Sequence, residues 1–367
     1  MARFFITGGG TGGHIYPAVA VADILHKSDE IFYVGNPENL EFDIVSQKGY
    51  KFLGVNVHGM PRKIGFGLLK WVFQLGIAVA KCCGYILKYK PDAVFGTGGY
   101  VSAPALIACN IMKVPYMMHD CDAQPGLVTR KLAPHAKMIS VAFECACNVL
   151  KNSHCIVNGN PIRSEFKKLS KEQARENLGL KNKLTLCIMG GSQGARSIND
   201  AAVECLKRLS LDLDLQVIFQ TGKKNFQLVV EQLLKAYPEY EADRNLIIKP
   251  YFDNMVTILK ASDIAVSRSG SLSISEICAS SIAPVFVPYP HAAADHQRKN
   301  AKFMVEKNAG IYLEDNDLNS KLLFDTISYL IHNNTKLEEL QKNTLELAKF
   351  DGAEKIAEQL KEIANGK

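Results

Sequence analysis

RFFITGGGTGGHIYPAVAVA, residues 3–22, places a short apolar run, a glycine-rich turn and an apolar helix-forming stretch in direct succession. An apolar run this short, bounded by a turn, reads as a strand buried on both faces. The turn carries Gly8, Gly9, Gly10, Gly12 and Gly13 around Thr11 and ends at His14. A helix is expected to start near Pro17, whose fixed φ suits a first helical turn. LTLCIMGGSQGAR, residues 184–196, repeats the arrangement in the second half of the chain. Strand, glycine turn and helix in that order open a doubly wound α/β domain, so the chain is read as two of them facing each other across a cleft.

The flanking sequence supports that division. RFFIT, EIFYVG, DAVFGTGG, VPYMMHD and KMISVAF form a first set of β-like runs with amphipathic stretches between most of them. LTLCIMGG, LQVIFQTG, NLIIKPY, DIAVSRSG and APVFVPY form a second set after Gly159-Asn160-Pro161. Such alternation predicts βαβ units on parallel sheets. A chain of 367 residues suits two domains, each of roughly 150 to 200 residues. The expected division is 1–162 and 163–345, with a helix over 346–367 packing back on the first domain.

Composition removes several classes. With 47% hydrophobic and 22% charged residues the chain is a folded one. The ten cysteines show no C-x-x-C pair, so they read as reduced and buried rather than as zinc ligands. The N-terminus passes from apolar residues straight into glycines, which predicts no export signal. Residues 64–89 are interrupted by Lys70, Gln74, Lys81 and Lys88, and a membrane span is not expected. A net charge of +6 without a basic block argues against nucleic acid and for an anionic ligand or lipid surface.

Gly8, Gly10 and Gly13 match G-x-G-x-x-G, the dinucleotide fingerprint. That fingerprint needs an acidic residue closing the second strand, and EIFYVG ends instead at Gly35-Asn36-Pro37. No G-x-x-x-x-G-K-[ST] occurs, which excludes a P-loop. A third glycine turn, Gly96-Thr97-Gly98-Gly99-Tyr100, follows another strand. Ser267–Glu276 reads as a strand end, a glycine turn and a helix start rich in hydroxyls, suited to capping amides or meeting phosphate. Glu276, one turn into that helix, is placed to accept from ribose hydroxyls, or serves only as a favourable charge near a helix N-terminus.

Taken in order, GGGTGGHIYPAVAVA, GTGGYVSAPALIA, GNPIR, GGSQGAR, SRSGSLSISE and PYPHAAADHQRKNA resemble the MurG family along nearly the whole chain. The resemblance implies a GT-B glycosyltransferase fold and a UDP-N-acetylglucosamine transferase of peptidoglycan lipid synthesis. The acceptor it implies is the undecaprenyl-diphosphoryl-N-acetylmuramoyl-pentapeptide, lipid I. Transfer to the muramyl 4-hydroxyl would give lipid II with inversion, without metal or other cofactor, at the cytoplasmic face of the membrane. Carried over residue by residue, the donor contacts fall on Thr11, Gly12, Gly13, Arg163, Ser192, Ser271, Leu272, Ser273, Ile274, Ser275, Glu276 and Gln297. Phe252 takes the position whose backbone reads uracil. Where the family shows His-Glu-Gln-Asn, this chain has His119-Asp120-Cys121-Asp122, so a sugar-contacting amide becomes a carboxylate that accepts but cannot donate.

An inverting transfer needs a base for the attacking hydroxyl and a counter-charge for the leaving diphosphate. His14 is the first candidate for the base, because imidazoles titrate near neutral pH, with His119 and Asp120 in reserve. It would otherwise only orient the turn. Leu68, Val72, Leu75, Val79, Cys82 and Ile86 recur at helical spacing near Lys63, Lys70 and Lys81, as an interfacial helix against anionic lipid or a core helix would show. Two further readings remain: a related transferase acting on diacylglycerol, and a nucleotide-binding protein without catalysis.

Overall fold

The computed structural model describes residues 1–61, 65–152, 154–191 and 194–366. Its chain divides into two compact units, Met1–Ile162 with Asp351–Lys367 and Arg163–Phe350. The first unit holds β1 (Arg3–Thr7), β2 (Glu30–Gly35), β3 (Lys51–Gly54), β4 (Ala93–Gly96), β5 (Tyr116–Asp120), β6 (Met138–Val141) and β7 (Cys155–Val157). They form one sheet in the order 3-2-1-4-5-6-7, every pairing parallel.

Alternation along β1 shows why these runs are almost continuously apolar. Phe4 and Ile6 enter a core with helix α1 (Gly12–Leu25) and the C-terminal helix Gly352–Ala364, while Phe5 enters a separate core on the other face. A parallel sheet covered on both sides leaves no wet face to encode. Ile356, Ala357 and Leu360 of the C-terminal helix are buried against Ile15 and Ala18 of α1.

Two local expectations are corrected. Helix α1 begins at Gly12, with Pro17 inside it, so His14 lies in its first turn. Near the N-terminus of a helix the missing proline N–H removes a single bond, to the carbonyl four residues back, and the helix tolerates it. Cys147 and Cys155, expected to be reduced, form a disulfide, because the helix Glu144–Val149 and edge strand β7 bring their Cα atoms to 5.7 Å. Helix α2 (Leu40–Ser46) follows β2.

Helix α3 (Phe66–Tyr89) is, by length and composition alone, long and apolar enough to cross a bilayer, despite its lysines. Yet Ala78, Cys82 and Ile86 pack into the core beside helix α4 (Gly99–Met112). Cys82 and Ile86 of the expected interfacial stripe are therefore core residues. The exposed apolar side keeps Val72 of that stripe and otherwise consists of Phe66, Leu69, Phe73 and Ile77, with Phe66 91% exposed. Lys63 lies outside the described residues.

The second unit holds β8 (Thr185–Met189), β9 (Gln216–Gln220), β10 (Leu246–Lys249), β11 (Ile264–Ser267), β12 (Ala283–Phe286) and β13 (Ile311–Tyr312), parallel in the order 10-9-8-11-12-13. Both sheets reverse direction beside their first strand, between β1 and β4 and between β8 and β11. In open α/β sheets the carboxyl ends at such a switch point are where ligands sit.

Candidate active site

At the switch point of the first sheet, three sequence segments meet around one imidazole. His14 is half-buried, and its Nδ1 lies 4.0 Å from Cys121 Sγ, just beyond β5. Thr97 Oγ1 donates to the His14 carbonyl at 2.7 Å. Gly99 has φ 72°, and a Cβ there would lie 3.0 Å from His14 Cδ2, so only glycine lets the second turn approach the ring this closely. Thr11 is exposed, and Gly12 and Gly13 are partly so, at the start of α1.

The last residues of β5 and those just beyond it have separate fates. His119 is fully buried, with Nδ1 3.0 Å from Ser140 Oγ and Nε2 3.0 Å from Asn160 Oδ1. Burial pushes its pKa down to about 4, against the pull of the Asn160 hydrogen bond. With both nitrogens occupied, it is no longer a reserve base. Asp120 is buried and accepts from the amides of Asp122 (3.2 Å) and Gly126 (3.1 Å), its carboxyl pushed up mainly by burial. It shapes the loop and is likewise removed as a base. Asp122, half-buried, has Oδ2 3.8 Å from Cys121 Sγ, which places it on the same short loop that flanks His14.

The second unit gathers its candidates around β11 and β12. Arg163 Nη2 donates to Glu276 Oε1 at 2.9 Å, joining the start of this unit to the helix Ser271–Ala279. Burial raises the Glu276 carboxyl while Arg163 lowers it; the first effect prevails. Gly270 is the N-cap, and Ser271, Leu272 and Ser273 form the first helical turn, whose unpaired amides carry partial positive charge. Ser275 Oγ turns back to the Ser271 carbonyl at 3.1 Å, and Ile274 is buried in the core, so neither side chain points outward.

Gln297 Oε1 accepts from the Tyr289 amide at 2.9 Å, and its carbonyl accepts from Ser269 Oγ at 2.8 Å. A sugar would meet the Gln297 Nε2 group instead. The Phe252 amide donates to Gln220 Oε1 at 2.9 Å, so a base read here would meet the carbonyl and not the N–H. Arg268, which the motif reading passed over, bonds the carbonyls of Val287 and Pro288, pairs with Asp315 and donates to Ser197 Oγ. It ties the end of β11 to the segment after β12 and to the helix Arg196–Leu211. Ser192 lies outside the described residues.

Two doubly wound units, each with a glycine turn and a helix N-terminus at its switch point, make up the GT-B fold, which nucleotide-sugar transferases use. Models of the Glycosyltransferase family 28 N-terminal and C-terminal domains match residues 4–141 and 185–360. The UDP-N-acetylglucosamine–N-acetylmuramyl-(pentapeptide) pyrophosphoryl-undecaprenol N-acetylglucosamine transferase of a Thermoanaerobacter species is 34% identical over 366 residues, 98% of this chain and 100% of that one. Its counterpart in Halothermothrix orenii is 35% identical over 352 residues, 95% of each. The crystal structure of Acinetobacter baumannii MurG superposes with a TM-score of 0.82 at 24% identity, covering 99% of this chain and 100% of that one. The chain belongs to the MurG family of glycosyltransferase family 28.

Proposed function

We propose that the chain transfers N-acetylglucosamine from UDP-N-acetylglucosamine to the muramyl 4-hydroxyl of lipid I, with inversion and without metal. The convergence of the Gly8–Gly13 turn, the Gly98–Gly99 turn and the Cys121–Asp122 loop on His14 carries this reading. The imidazole takes the proton of the attacking hydroxyl, work worth roughly 10²- to 10⁴-fold. In the second unit the diphosphate is met by the amides of the first turn of Ser271–Ala279 and by Arg163. A guanidinium has five N–H donors, and Arg163 directs one nitrogen to Glu276. Glu276 accepts from the ribose hydroxyls, and Gln297 donates to the sugar. Such fixed dipoles stabilise a leaving group without reorganising as its charge grows.

The exposed apolar side of α3 docks on an anionic membrane surface and brings the unit to a lipid-borne acceptor at the inner face of the cell membrane. Its five apolar side chains, with Lys70 exposed beside them, support this.

The test is UDP release from UDP-N-acetylglucosamine by the purified chain, with and without a lipid I analogue and with no added metal. Acceptor-dependent release is expected. Release only with diacylglycerol would replace the acceptor, and tight UDP binding without turnover would reduce the chain to a binding protein.

A further inference from the structure

Glu41, on α2, is fully buried, and among the described residues no cation pairs with it. Its Oε2 accepts from the Gly10 amide at 3.1 Å, inside the first glycine turn. Its Oε1 accepts from the Asn36 amide at 3.2 Å, at the end of β2, and from Asn39 Nδ2 at 3.3 Å. Asn39 Nδ2 also lies 3.2 Å from the Tyr100 hydroxyl, which follows the second glycine turn. One buried side chain thus bonds directly to one of the two turns that flank His14 and reaches the other through Asn39.

The glycines fit around this carboxylate. A Cβ on Gly9 would stand 2.5 Å from the Glu41 carboxyl carbon, and one on Gly35 would stand 3.1 Å from Glu41 Cγ. Gly10 has φ 82°, the left-handed conformation that turns its N–H inward to Glu41. Tyr33, buried and with its phenol pKa raised by burial and by Glu41, donates to the Gly8 carbonyl at 2.6 Å. Both sides of the turn are therefore fixed from beneath.

We infer that Glu41 is a positioning residue for the transfer, holding the first glycine turn in the conformation that sets His14 against the second turn. The inference rests on the reading of His14 as base. The Gly10 amide is committed to Glu41 and withheld from any phosphate. Burying a carboxylate is costly, and three N–H donors to its two oxygens offset that cost only while the turn keeps this shape.

Glu41→Gln tests it with little change in volume. A glutamine has one oxygen, which the Asn36 and Asn39 donors will take, leaving its NH2 facing the Gly10 N–H. The tether to the turn is then lost while the core stays filled. Displacing a catalytic group by about 1 Å can cost ~10²-fold, so acceptor-dependent kcat is expected to fall roughly 10- to 100-fold. The KM for UDP-N-acetylglucosamine should rise by clearly less than kcat falls, because the ribose and diphosphate contacts proposed above belong to the second unit and only the Thr11–Gly13 contacts belong to this turn. Asn39→Ala, which keeps the Gly10 bond but cuts the link to Tyr100, should lose about three- to tenfold in kcat, again with a smaller change in donor KM.

Turnover within about twofold of the unmodified chain in Glu41→Gln, or an equal loss in donor binding, overturns the inference. If Glu41→Gln does not fold, Asn39→Ala decides alone by the same criteria. An unmodified chain without acceptor-dependent release would instead overturn the proposed function, so the two failures are distinguishable.

Discussion

The first glycine turn and the turn after β11 share a plan of strand, turn and helix N-terminus, but opposite charges lie behind them. Behind the first is Glu41, an anion that takes up the Gly10 amide. Behind the second is Arg268, a cation that binds the Val287 and Pro288 carbonyls and pairs with Asp315. The first turn presents a histidine and exposed Thr11; the second presents the amides of a helix start, with the Ser269 and Ser275 hydroxyls turned inward. On the function proposed above, the same backbone motif serves a proton acceptor in one unit and an anion in the other, and the side chains packed beneath it differ accordingly.

The largest expected effect lies on the first side of that comparison. His14→Ala should lower kcat by roughly 10²- to 10⁴-fold with donor binding intact; a loss under about tenfold, in steady-state kinetics, would make the two turns equal in importance. Next comes acid sensitivity. His119 titrates near 4 when folded and near 6.5 when unfolded. The unfolded chain therefore binds more protons in that window, and stability falls as pH drops through it, by about 3 kcal/mol in all. Asp120, raised by burial, contributes with the opposite sign. Denaturant melts of the unmodified chain and of His119→Gln at pH 7 and pH 4 isolate the difference, and parallel losses in both would refute it.

On the second side, Glu276→Ala removes a charged acceptor, a contact worth about 1.5–3 kcal/mol. Donor KM should rise roughly 10- to 100-fold with little change in acceptor KM, read by varying each substrate in turn. The smallest effect is expected at Asp122. Asp122→Asn restores a donor and removes a negative charge, so donor KM should fall a few-fold; an unchanged value would show that the carboxylate does not meet the sugar.

The parts of this molecule that were legible in the sequence are local in origin. Apolar runs beside glycines, hydroxyls before a helix and the restart after Asn160 all leave periodic or compositional marks. Strands β3, β7 and β13 do not, because short edge strands need few apolar residues. Glu41 follows a proline turn and looks like a wet residue at a helix start; only the packing of α2 under the turn makes it a buried anchor. His119 looked reactive by its type, and two neighbours distant in sequence occupy both its nitrogens. On α3 the apolar residues run round most of the helix, so spacing alone left its buried side undecided.

The C-terminal helix sets a schedule for synthesis. Its residues Ile356 and Leu360 complete the core on one face of the first sheet, but the ribosome makes them only after all of Arg163–Phe350. At about 5–20 residues per second, the nascent first unit waits on the order of ten seconds or more with Ile15 and Ala18 uncovered. During that interval it is a client for whatever shields apolar surface on emerging chains.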